Sequence, residues 1–260
     1  MNGKRRGLGI LFVFMSVSST LIGEDVLMAG NPPKTAEEYF VRAHDRYEKG
    51  DFDGAIADYS ETIRLDPNIA EIWTMRGLAW AGKGEKDKAI VDFSESIRLK
   101  PDYVNAWTIR GVVWSEKGEH DKAIIDHNEA IRRKPDYADA WKNRGSTWLR
   151  KGEYDKAIKD LSEAIRLNPS QTVAWIERGA AWSNKDEHDK AMKDLNEAIR
   201  LEPGNPRVWF TRGSALARKG EYEDALADLQ KTLSIDTEYP GAVRLWADVL
   251  AWSVEKKGDK

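Results

Sequence analysis

Residues 138–171 read ADAWKNRGSTWLRKGEYDKAIKDLSEAIRLNPSQ, and nearly all of the 260-residue chain is copied from this unit. Thirty-four residues earlier, Trp107, Arg110, Gly111, Trp114, Ala123, Asp126, Ala130 and Pro135 stand in register with it. Thirty-four residues later, Trp175, Arg178, Gly179, Trp182, Ala191, Asp194, Ala198 and Pro203 do the same. With Ala138 as position 1, Trp at 4, Gly at 8 and Trp at 11 share one helical face. Ala at 20 and large or apolar residues at 24 and 28 make a second such face. The Lys-Gly-Glu between them supplies a glycine that closes a turn, and Pro at 32 stops the second helix. Each unit is therefore a helical hairpin. A hairpin of this size cannot bury both faces alone, so the copies must stack.

Trp73, Gly77, Trp80, Ala89, Phe93 and Pro101 set out the same unit two copies earlier. This pattern resembles the tetratricopeptide repeat, W-x2-L-G-x2-Y, A-x3-F, P. One departure is consistent: position 7, Leu in the family, is Arg in all six copies. The resemblance implies an all-α fold, a right-handed α-solenoid of six hairpins. The copies run over 36–69, 70–103, 104–137, 138–171, 172–205 and 206–239. A helix over about 240–256 is expected to cap the last hairpin and expose Arg244, Asp248, Glu255 and Lys256 to water, with 257–260 a disordered tail. The first copy is the weakest, with Tyr39, Ala43 and Arg46 at positions 4, 8 and 11, as suits an end without a neighbour.

Residues 1–30 stand outside the repeats. Lys4-Arg5-Arg6 precede an apolar run over 8–22, which has the order and length of a secretory signal peptide. An uncleaved membrane anchor formed by 8–22 is the alternative. Residues 31–35 make a short linker, and Thr35 with Glu38 forms the sequence signature of a capping box.

Composition narrows the function. The net charge of −3 lacks the basic excess that a nucleic-acid surface needs. No cysteine is present, so thiolate chemistry and disulfides are excluded. Nine of the eleven tryptophans fall on positions 4 and 11, where core packing explains them. Of the four histidines, His120 and His188 occupy position 17 in place of Tyr or Phe, and His127 stands in for Phe93. They read as aromatic substitutes, not metal ligands. Neither a catalytic constellation nor a phosphate loop emerges, so no enzyme, cofactor or metal is expected.

One charged constellation recurs in every copy, with Arg at 7 and Asp at 23: Arg42 and Asp58, Arg76 and Asp92, Arg110 and Asp126, Arg144 and Asp160, Arg178 and Asp194, Arg212 and Asp228. Both could face solvent, but structural ion pairing is favoured, since an Arg fork can bond a carboxylate twice. Pairing between repeats would strand Arg42 and Asp228, which favours pairing within each repeat.

By resemblance, the first helices line a groove that binds an extended peptide or a helix of another protein. Carried over, the lining includes Phe40, His44, Tyr47, Thr74, Leu78, Thr108, Val112, Lys142, Ser146, Ile176, Ala180, Arg207, Phe210 and Ser214. A carboxylate clamp found in some relatives is absent, because Ser146 and Glu177 replace two of its Asn positions. Apolar anchors with acidic residues toward repeat six would suit this lining. Truncating Phe210 or Ile176 is expected to weaken partner capture and leave stability nearly unchanged. The alternative role is structural, with arrays stacking end to end into a homo-oligomer.

Overall fold

In a computed structural model, residues 33–258 are described. The predicted leader, 1–30, lies outside them. The described residues form thirteen α-helices and no strand. The chain divides into two compact units, one ending at Lys117 and the other beginning at Gly118. The first holds α1 (Ala36–Glu48), α2 (Phe52–Leu65), α3 (Ala70–Gly82), α4 (Lys86–Leu99) and α5 (Val104–Glu116). The second holds α6 (His120–Arg133), α7 (Ala138–Arg150), α8 (Tyr154–Leu167), α9 (Thr172–Asn184), α10 (His188–Leu201), α11 (Pro206–Lys219), α12 (Tyr222–Ile235) and α13 (Ala242–Gly258). Within each unit successive helices pack on one another as stacked hairpins, the arrangement of an α-solenoid.

Local chemistry sets the boundaries. At α1 the Glu38 N–H donates to Thr35 Oγ1 at 3.2 Å while the Glu38 carboxylate receives the Thr35 N–H, a complete capping box. Between the helices of a hairpin, Gly50, Gly84, Gly152 and Gly220 take φ of 76–82°. A Cβ at Gly84 or Gly152 would meet nothing, so backbone conformation alone demands the glycine there. Repeat five has no glycine at this point, and Asp186 adopts φ 59° instead. Position 8 is a packing glycine: a Cβ on Gly77 would sit 2.6 Å from Phe93, and one on Gly145 2.7 Å from Leu161. Close approach of the two backbones depends on it.

The arginines at position 7 hold hairpins shut and join them to their neighbours. Arg144 Nε and Nη2 donate to the two oxygens of Asp160 at 2.6 and 2.8 Å. Arg178 grips Asp194 at 2.7 and 2.7 Å, Arg212 grips Asp228 at 2.7 and 2.8 Å, and Arg76 grips Asp92 at 2.8 and 2.8 Å. In the first repeat Arg42 bonds Asp58 at 2.7 and 2.6 Å, and Arg46, in the place of a Trp, adds a third donor at 2.9 Å. These five aspartates are buried. The remaining Nη1 reaches back to position 25 of the preceding copy. Arg76 bonds Ser60 at 3.0 Å, Arg110 bonds Ser94 at 2.8 Å, Arg144 bonds Asn128 at 2.6 Å, Arg178 bonds Ser162 at 3.0 Å and Arg212 bonds Asn196 at 2.6 Å. Each guanidinium also lies over the Trp at position 4, at 4.8–5.1 Å from the ring centroid. Arg110 and Asp126 belong to different units.

The tryptophans at position 4 fasten the loops between hairpins. Trp73, Trp107, Trp141, Trp175 and Trp209 each donate their indole N–H to the carbonyl of the preceding proline, at 2.8–2.9 Å. A ladder of exposed pairs runs alongside, joining Lys83 to Asp53, Lys117 to Asp87, Lys151 to Asp121 and Lys185 to Asp155. Exposed pairs of this kind contribute at most about 1 kcal/mol each.

His127 is completely buried and neither ring nitrogen has a partner. Burial, reinforced by the positive charges of Arg144 and Lys142, holds its pKa down at about 3, against an ordinary value of 6.5. The unfolded chain therefore binds one more proton between pH 6.5 and about 3. Stability from the neutral ring is fully present above pH 6.5 and is lost as pH falls toward 3. Lowering the pH from 6.5 to 5 should cost about 2 kcal/mol through this group. His127→Leu, which copies Leu161, Leu195 and Leu229, should stabilise the fold more at pH 5 than at pH 7.5, by about that amount. Denaturant unfolding at the two pH values measures this, and an equal gain at both would contradict it.

Candidate binding face on the first helices

Positions 5 and 9 of the first helices alternate between core and surface. In the first unit, Phe40 is half-buried, 6.1 Å from Tyr59 and stacked at 6.3 Å on the exposed His44. Tyr47 meets Phe52 edge-on at 5.6 Å. Thr74 is buried and shares a 2.8 Å hydrogen bond with Ser96. Leu78 is buried in the apolar cluster of this unit. Thr108 is buried with its hydroxyl donating to the Val104 carbonyl at 2.9 Å, and Val112 is half-buried. Phe40, His44, Tyr47 and Val112 are therefore the accessible members here.

In the second unit α7, α9 and α11 lie side by side, linked through Glu177. Arg207 Nη2 donates to Glu177 Oε1 at 2.8 Å, and the Ser146 hydroxyl donates to the other carboxylate oxygen. Lys142 Nζ lies 3.3 Å from Asp139, which also receives Gln171 Nε2 at 2.8 Å. Lys142 and Arg207 are thus each held against a carboxylate of the protein itself. Ala180 is half-buried. Ile176 is 1 % exposed and packs with Ala198 and Val208, so it belongs to the core rather than to an accessible lining. Truncating it removes core volume, typically worth about 2–5 kcal/mol, and does not leave stability unchanged as its register position suggested.

In this unit accessible apolar surface also lies around Phe210 and α13. Phe210 is half-buried with its ring 5.1 Å from Tyr239. Beside it Ser214, Ala217, Arg218, Tyr222, Leu245 and Trp252 line a cleft of about 470 Å³ between α11, α12 and α13. Arg218 is exposed. Leu245 and Trp252 come from α13, a helix that register alone placed only as a cap. No cluster of three or more metal-ligating side chains occurs among the described residues, and none of their helices is long and apolar enough to cross a membrane.

Residues 138–171 match the tetratricopeptide repeat family, as do residues 40–102 and 180–243, together more than half of the chain. The chain belongs to the tetratricopeptide-repeat family. Members of this family mediate protein–protein interactions. Among solved structures, the MamA protein is 29 % identical, with a TM-score of 0.58 over 65 % of this chain and 92 % of MamA. YrrB, a tetratricopeptide-repeat protein with an unusual peptide-binding site, is 20 % identical, with a TM-score of 0.55 over 72 % of this chain and 96 % of YrrB. PilF of Pseudomonas aeruginosa is 15 % identical, with a TM-score of 0.70 over 83 % of this chain and 96 % of that one. The latter two share the fold. No curated protein matches this chain.

Proposed function

We infer that this protein is a non-catalytic scaffold that binds a peptide or helix of another protein along its first helices. The observation that carries this reading is the cleft at Ser214, Ala217, Tyr222, Leu245 and Trp252. It offers an apolar pocket on a face where Arg207 and Lys142 are paired with Glu177 and Asp139. Apolar anchors give most of the affinity in such sites, and charges set register and rate. The fitting segment presents a large apolar side chain to the cleft and an acidic group to Arg218. A photo-reactive side chain placed at Ser214 is expected to cross-link one partner in cells, and Trp252→Ala should abolish the product. Placed at Lys159 on the exposed side of α8, it should give none. Cross-linking from Lys159 but not from Ser214 would put binding on the wrong helices.

The basic start and apolar run of residues 1–30 further support export from the cytoplasm. Residues 1–35 fused to a reporter that works only outside the cytoplasm should yield activity. A silent fusion would remove export from the reading. Recovery of the protein with its N-terminus intact would make residues 8–22 an anchor.

A further inference from the structure

Helix α13 packs against α12 as the first helix of a further hairpin would, and among the described residues no second helix stands against its other side. Its positions 3 and 10 are Ala242 and Val249, both fully buried. The same positions in α11, Val208 and Ala215, are buried in clusters with residues of α10. The side of α13 that should meet a second helix is open. Val243, Trp246, Leu250 and Val254 are 61, 37, 40 and 62 % exposed, and Ala247, at the packing position 8, is exposed too. Trp246 stands at position 7, where every full repeat has the arginine of the ion pair, so this register position is apolar in α13. The charged residues Arg244, Asp248 and Glu255 fall on the far side of the helix, at 100° per residue. This end of the array is therefore apolar on the side where an ordinary capping helix would be polar.

We propose that this surface binds the α13 of a second copy, tail to tail. Two features favour that occupant. The stripe is self-complementary when two such helices run antiparallel: Val243 meets Val254, and the small Ala247 receives Leu250, in both directions across a two-fold axis. The other end of the chain is unsuited. In α1 positions 3 and 10 are Glu38 and Asp45, where later first helices carry buried Ile72 or Ala106 and Ala79 or Val113. Head-to-tail stacking would desolvate those two carboxylates against an apolar helix. A two-fold contact closes on itself and gives a dimer, not a filament. One helix per copy buries less than the roughly 1,600 Å² of a standard interface, so the dimer is concentration-dependent.

The chain has no cysteine, so single cysteines report proximity directly. Under mild oxidation of the full-length protein, mixed Ala247→Cys and Leu250→Cys copies should form a disulfide-linked dimer in greater yield than either alone. Arg244→Cys, on the charged side, should remain uncoupled. Light scattering should show wild-type mass rising toward twice the monomer with concentration. Leu250→Glu should hold it at the monomer while the thermal melt of the helices stays in place. Should Leu250→Glu unfold the chain, the cysteine pair decides alone. A wild-type protein that stays monomeric, as it would if another segment covered α13, overturns the proposal. Equal coupling through Arg244→Cys overturns it as well.

Discussion

The arginine at repeat position 7 carries more of this structure than any other side chain. One guanidinium closes its own hairpin through two bonds to a buried aspartate. It also reaches the preceding hairpin through a third bond to Ser or Asn, and it covers a tryptophan that itself fastens the loop between them. Lysine offers a single rotatable charge and cannot make these contacts together. In a solenoid, stability divides into the hairpins and the interfaces between them. Here both parts pass through the same residue. The leucine usual at this position would fill space but would leave the aspartate at 23 buried and unpaired.

That dependence explains why the fold was so legible. A 34-residue period, a packing glycine at 8, a turn glycine and a proline at 32 each have one physical use, and the first helix of each of the six repeats begins on position 1. The Arg–Asp register was visible too, and the favoured pairing within a repeat is what Arg42, Arg76, Arg144, Arg178 and Arg212 make. The guanidinium has a further donor for the preceding repeat, and the signal for that contact was present as Ser60, Ser94, Asn128, Ser162 and Asn196 at position 25. A residue that alternates between two hydrogen-bonding types is easily read as surface drift. At the C-terminus α13 runs through Gly258, past the expected boundary at 256.

The binding face was much less legible, for a physical reason. Register states which side of a helix a residue occupies, not how deeply its neighbours cover it. Ile176, Thr74 and Thr108 share a register position with the half-buried Phe40 and Phe210, yet all three are buried. The opposition of Lys142 and Arg207 by Asp139 and Glu177 was legible in the register, but not that Glu177 also takes the Ser146 hydroxyl and so joins three helices. The C-terminal helix was read by its charges, although its apolar side is equally exposed. A cap with one wet face and one bare face differs from a solvating cap only in three dimensions.

The central claim is that the position-7 arginine acts by geometry and not by charge alone. The most direct measurement is the denaturant stability of Arg178→Lys beside Arg178→Ala. Lysine preserves the charge next to Asp194 but loses the fork, the Ser162 contact and the planar cover over Trp175. The account predicts that both variants lose about 2 kcal/mol or more, with lysine recovering less than half of the alanine loss. Arg178→Lys within about 0.5 kcal/mol of the wild type would show that a positive charge suffices, and would contradict the account.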